Sequence, residues 1–168
     1  MTPLPGALGG SDLLAWRLDT AVHAKGWDSG EGAYIAGGRW NSRGVRAVYC
    51  AVDPATAILE VAVHKGFPAL DTVPHILTVM EIRAAADVHV VDPATLPNPN
   101  WLVPGQPSAG QQAFGDALLA ANRFVLLPST VSRYSWNLIF LKATAVGGYI
   151  LRSQEAFALD PRLHPPAP

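Results

Sequence analysis

The sequence of 168 residues holds one cysteine, Cys50, so a disulfide framework within the chain is excluded. A lone thiol points to a reducing compartment, and the expected location is the cytoplasm. No charge sign dominates: 12 Lys and Arg stand against 13 Asp and Glu, a formal net charge of −1. That balance excludes nucleic-acid binding driven by bulk electrostatics. No apolar run approaches the ~20 residues that a membrane-spanning helix requires. Residues 1–11 contain no Lys or Arg and no apolar core, so they do not read as a signal peptide. There is no Walker phosphate loop, no Rossmann glycine triplet after a strand, and no His or Cys pair at metal-ligand spacing. No metal is therefore expected. The five histidines, at 23, 64, 75, 89 and 164, share no helical face.

Charge is scarce as well as balanced. Charged residues make up 15% of the chain, against about 25% in ordinary domains. A surface so poorly solvated favours self-association or a patch covered by a partner. Dilution of charge by Ala, Pro and Gly explains the number equally well. The apolar fraction of 49% excludes disorder, and the length fits one domain.

The Pro- and Gly-rich residues 1–11 read as a loose lead-in, residues 12–163 as the domain, and 164–168 as a Pro-rich tail. Leu13–Leu18 opens the ordered part as a strand or a helical turn. Residues 26–44 are Gly-rich and polar and read as a long loop, of a length that in compact domains is usually functional or disordered. Val45–Val52 is β-rich and ends at Asp53-Pro54, an N-cap followed by proline at the first helical position. The pattern predicts a helix from Pro54 to Lys65, stopped by Gly66. Further strands are expected at His75–Ile82, Val88–Val91, Arg123–Leu127, Leu138–Leu141 and Tyr149–Leu151. A second helix is expected at Gln111–Asn122, and a loop at Asp92–Gly110. The layout is α+β, with several short strands and two or three helices.

Three residues stand out chemically. Arg39 lies in Gly37-Gly38-Arg39-Trp40-Asn41, where glycines would let the backbone approach a ligand and the guanidinium offers a fork for phosphate or carboxylate. Tyr49 lies on the following strand. Glu60 lies on the following helix, in an otherwise apolar segment where an unpaired carboxylate is costly. Either it is functional or it pairs with His64 one turn on. Cys50, within an apolar strand, reads as packing.

Tyr49 follows Arg39 by ten residues, and Glu60 follows Tyr49 by eleven. With Val48-Tyr49-Cys50-Ala51, Ala57-Ile58-Leu59-Glu60, Trp16-Arg17-Leu18, Leu127-Pro128-Ser129, Asn137 and Phe157-Ala158-Leu159-Asp160-Pro161-Arg162-Leu163, the chain resembles the RES domain from Leu14 to Leu163. The resemblance implies the toxin of a bacterial toxin–antitoxin pair, with a fold like ADP-ribosyltransferases of the diphtheria-toxin kind. It implies NAD as substrate, cleaved at the nicotinamide–ribose bond, with ADP-ribose passed to a protein acceptor or to water. The implied partner is an Xre-like helix-turn-helix antitoxin, and a homo-oligomer is expected. Arg39, Tyr49, Glu60 and Ser129 map onto the family's essential residues; Ser132 and Ser135 are alternatives for the serine. Arg17 and Asn137 are further binding candidates, a structural arginine and a capping asparagine being their other readings. The family's Asn-Pro turn is missing after Asn137, where the chain continues Leu138-Ile139-Phe140-Leu141. A module that holds a nucleotide without chemistry is the competing class.

Overall fold

A computed structural model describes residues 13–83 and 85–163. The expected lead-in over 1–11 and the tail over 164–168 lie outside the described residues. Seven strands form one mixed sheet: β1 (Leu13–Thr20), β2 (Ala47–Ala51), β3 (His75–Ile82), β4 (Val88–Val90), β5 (Phe124–Pro128), β6 (Trp136–Leu141) and β7 (Tyr149–Phe157). Their order is β4-β5-β6-β2-β1-β3-β7, and β4 and β5 form its parallel pair. The helices are α1 (Glu31–Ala36), α2 (Pro54–Lys65), α3 (Phe67–Thr72), α4 (Ala109–Ala121) and α5 (Lys142–Ala145).

The helix expected from Pro54 to Lys65 holds to the residue, while the strand before it is Ala47–Ala51, shorter at both ends than the expected Val45–Val52. Asp53 is extended, its carboxylate accepts from the Thr56 amide at 2.8 Å, and Pro54 opens α2. Gly66 closes it at φ +79°, a conformation that suits glycine. β1 resolves as a strand. The Gly26–Gly44 loop is corrected: it contains the short helix α1, between Gly30 at φ +65° and Gly37 at φ +73°. The glycines that read as loop are that helix's two ends. β7 runs six residues past the expected Leu151, to Phe157. Its polar run Arg152-Ser153-Gln154-Glu155 hid it, because an edge strand needs little burial. α4 begins at Ala109, capped by the Ser108 hydroxyl. α3 and α5, one or two turns each, carry too little periodicity to read from sequence.

Alternation along the strands separates two faces. Val48 and Cys50 of β2, with Leu138 and Phe140 of β6 and Leu13 and Ala15 of β1, build one core with Trp27, Phe124 and Tyr149. Cys50 is 4% exposed in this core, and burial pushes its thiol up to about 12, so it packs as a small apolar side chain. On the opposite face, α4 covers the β5–β6 half through Leu119, Val125, Leu127 and Ile139, with Trp40, Trp101 and Phe114. There α2 and α3 cover the β1–β3 half through Ile58, Val61, Leu70, Leu18 and Leu77.

The two halves meet at a thin seam. Between β1 and β2 the register is one pair, Trp16 opposite Ala51, whereas β1 and β3 pair over eight positions. At the outer margin, β7 carries an extra residue, Arg152, where the register shifts opposite Val79 and Met80.

α4 and the 38–42 loop touch without intervening side chains. A Cβ on Gly115 would lie 2.1 Å from the Trp40 carbonyl oxygen, which is backbone and cannot swing aside. Gly115→Ala is expected to destabilise the fold by about 1–3 kcal/mol or more; a urea midpoint equal to that of the parent protein would contradict this close approach.

Candidate active site

Glu60 projects from α2 toward the sheet. Its Oε1 accepts a hydrogen bond from the Ser129 hydroxyl at 3.0 Å and from Asn137 Nδ2 at 2.6 Å. His64, the alternative partner on the same helix, is exposed and makes no ion pair with it. An intermediate burial and two neutral donors allow a carboxylate to stand in an apolar helix without a basic partner.

Ser129 follows β5 and is buried at 4% exposure. Its hydroxyl also accepts from the amides of Val131 and Ser132, at 3.2 and 3.1 Å. This local turn holds the side chain in place while its proton goes to Glu60. Among the three serines considered, Ser129 meets the carboxylate. Ser135 instead donates to Asp53, the cap of α2, and its backbone carbonyl accepts from the Ser129 amide at 3.0 Å. The 129–135 loop therefore ties the start of α2 to the carboxylate borne two turns further along it. This link through Asp53 and Ser135 was not foreseen; the signal was a cap residue standing opposite a serine-rich loop.

Arg39 lies on the same face. Its Nη1 donates to the carbonyls of Trp101 and Val103 at 3.2 and 3.4 Å, and its Nη2 to Gly105 at 2.8 Å. These acceptors are neutral, so the guanidinium keeps its full charge. Burial pulls its pKa below the ordinary arginine value, while the fields of Glu60 and then Tyr49 pull it back. Those couplings place the three residues within electrostatic reach of one another.

Tyr49 serves the scaffold as much as the cleft. Its hydroxyl donates to Asn41 Oδ1 at 2.7 Å and accepts from the Trp40 amide at 3.0 Å. Burial raises its phenol above the ordinary value. The expectation that Gly38 gives a ligand access to the backbone is corrected. A Cβ there would stand 2.6 Å from the Tyr49 hydroxyl, so the glycine makes room for tyrosine. Asn41 is fully buried and donates to the carbonyls of Ala33, Ser42 and Val45, locking the loop that presents Arg39. From α4, Gln112 donates to the Gly38 carbonyl and Asp116 accepts from the Ser42 amide.

Arg17 is not brought to this face. It alternates with Leu13 and Ala15, so its side chain leaves the sheet on the Cys50 side. There it forms a two-point pair with Asp19, at 2.5 and 2.9 Å, and donates to the Tyr49 carbonyl at 2.7 Å. Past the Trp16–Ala51 pair, this guanidinium takes the place of a strand partner for β2. An open groove of about 510 Å³, lined by Ser29, Val45, Arg46 and Lys142, lies at the far end of β2 and β6 from Asn137. It belongs to no part of this constellation.

Among the described residues, no cluster of three or more His, Cys, Asp or Glu is placed to hold a metal ion. No described helix is long and apolar enough to cross a membrane.

Fold and site together define an α+β domain in which a helix laid on the sheet carries a restrained carboxylate, within electrostatic reach of a loop guanidinium whose hydrogen bonds go only to backbone carbonyls. The same architecture is found in the M. tuberculosis MbcT–MbcA toxin–antitoxin complex, at a TM-score of 0.63 and 20% identity, over 88% of this chain and 85% of that one. Residues 14–160 match the family model described as RES domain, and the chain belongs to that family. Among relatives, it is 31% identical to the protein named Toxin Res of Photorhabdus laumondii, over 76% of this chain and 80% of the relative. It is 33% identical to the Prs ADP-ribosylating toxin of a Sphingobium strain, over 88% and 94%.

The Asp53 carboxyl is held below its ordinary 3.8: burial pushes it up, but the bonds from Ser135 and Thr56 outweigh burial. A carboxyl lowered on folding stabilises above its unfolded pKa and loses that contribution as pH falls through the folded value. Asp53→Ala is expected to lower stability by about 1–2 kcal/mol at neutral pH. In urea titrations the gap to the parent should close on acidification below 3.8; a gap unchanged by acid would refute the capping role of the ionised form.

Proposed function

We propose that this protein is the toxin of a toxin–antitoxin pair that cleaves the nicotinamide–ribose bond of NAD and passes ADP-ribose to a protein acceptor or to water. The observation that carries this reading is Glu60, an anion held on one oxygen by neutral donors only. Its charge is left for something that enters the cleft.

In the reaction, the bond from the ribose carbon to the nicotinamide nitrogen breaks and nicotinamide leaves with the electron pair as a neutral molecule. The sugar becomes cationic, and Glu60 faces that developing charge at short range in a partly apolar setting. A nucleophile then closes on the same carbon, and its proton passes to the carboxylate or to solvent. Arg39 supplies the cation for the pyrophosphate; its carbonyl contacts are ones an anion can outcompete. Tyr49, with its hydroxyl committed to the loop, offers its ring as a wall against nicotinamide. Ser129 fixes the carboxylate. Arg17, on the far face, supports β2 rather than the substrate. These residues fit NAD in charge: one cation for the phosphates, one anion for the ribose.

The relative named a Prs ADP-ribosylating toxin supports a protein acceptor. The toxin–antitoxin complex that shares the fold supports an antitoxin as partner, an Xre-like helix-turn-helix protein in our reading. Exposed apolar side chains, among them Ile35, Val63 and Tyr134, leave surface for that partner or for a second copy. A single buried thiol accords with a cytoplasmic setting.

Purified protein incubated with NAD is expected to release nicotinamide, followed by mass spectrometry with and without cell lysate. Glu60→Gln and Arg39→Ala should each cut the rate by about 10²–10³-fold while the far-ultraviolet circular dichroism stays that of the parent. A folded Glu60→Gln variant with parental turnover would overturn the assignment.

A further inference from the structure

Asn137 lies on β6, opposite Ala51 of β2 and Leu127 of β5. Alternation with Trp136 and Leu138, which face the Cys50 core, sends its side chain to the α2 face. Its Nδ2 donates to Glu60 Oε1 at 2.6 Å, whereas its Oδ1 is buried and without a partner among the described residues. For folding alone this is a poor use of the position. A strand residue between Trp136 and Leu138 gains more from an apolar side chain than from an amide that leaves an acceptor dry. The one bond it makes goes to the carboxylate of the cleft. Ser129 donates to the same oxygen, so Oε1 carries two bonds and Oε2 none among the described residues.

We propose that Asn137 is a positioning residue, holding Glu60 by Oε1 together with Ser129 so that Oε2 is the oxygen presented to the substrate. The inference rests on the reading of Glu60 as the carboxylate that faces the ribose. A glutamate on a helix has three rotatable side-chain bonds, and a single donor leaves it free to pivot about the oxygen it holds. Two donors converging from β6 and from the end of β5 remove that freedom, and orientation within a few tenths of an ångström is what charge stabilisation at a reacting carbon demands. The orphaned Oδ1 follows from the same arrangement, since turning the amide to satisfy it would place an oxygen against the carboxylate.

The test compares Asn137→Leu and Asn137→Asp with the parent by steady-state turnover of NAD, pH–rate profiles and thermal melting. In Asn137→Leu, kcat is expected to fall about ten-fold or more with KM within about two-fold, and the melting temperature to stay level or rise. In Asn137→Asp, a second carboxylate beside Glu60 should move the acidic limb of the profile to higher pH. Loss of activity with an equal loss of thermal stability and an unmoved limb would mean a merely structural residue and overturn the proposal, as would parental kcat in Asn137→Leu. A parent protein inert toward NAD would count against the proposed function instead. The side-chain amide signal of Asn137 in a ¹⁵N NMR spectrum then decides: a signal shifted by Glu60→Gln supports the clamp, and an unmoved one overturns it.

Discussion

The structure turns on the seam between β1 and β2. Two half-sheets, each with its own helical cover, are joined there by one residue pair and by the Arg17 guanidinium. A charged hydrogen bond to a backbone carbonyl is stronger than a neutral one. It keeps the Tyr49 carbonyl from being left without a partner where the strand ladder ends. Asp19 neutralises that cation at two points, so the joint carries no net charge at the sheet surface. Everything on the α2 face inherits its geometry from this joint. Tyr49 fixes the Arg39 loop, and β2 leads directly into the helix that bears Glu60.

Both halves of the sheet also contribute to one constellation. α2 delivers Glu60 from the β1–β3 side, while Ser129 and Asn137 come from β5 and β6. A change that slid one half past the other would part the carboxylate from its donors before disturbing either core. The 129–135 loop counters such sliding, because Ser135 grips the cap of α2 while Ser129 grips its middle. The site is thus braced at two heights of one helix.

Much of this was legible in the sequence, and the reason is local. Asp53-Pro54 and Gly66 are backbone requirements that few other residues meet, so α2 could be bounded from the chain alone. The same holds for His75–Ile82, whose apolar run coincides with β3. What escaped depends on contacts across long separations. Gly38 reads as ligand access until Tyr49 is seen to occupy the space a Cβ would fill. Arg17 and Glu60 both read as candidates, and only the alternation of β1 shows that Arg17 leaves the sheet on the face opposite to the one α2 covers with Glu60. Asn137 reads as a binding candidate or a cap, because nothing in its neighbours names Glu60, 77 positions earlier. α1 was missed for the opposite reason, its six residues being too short for periodicity to outweigh the glycines beside it.

The extra residue in β7 has a bearing on how this molecule meets others. A nine-residue strand at the margin of a sheet offers a row of unpaired amides and carbonyls that a foreign chain could adopt as a template. Arg152, bulged out of register and drawn to Glu81, breaks that row near its centre. The chain's poverty in charge makes this placement economical, since one arginine at the margin guards against edge-to-edge growth that a more polar surface would resist by repulsion. At this margin the interrupted main chain makes a poor template for a passing strand, so whatever packs against β7 meets side-chain shape rather than a regular ladder of backbone groups.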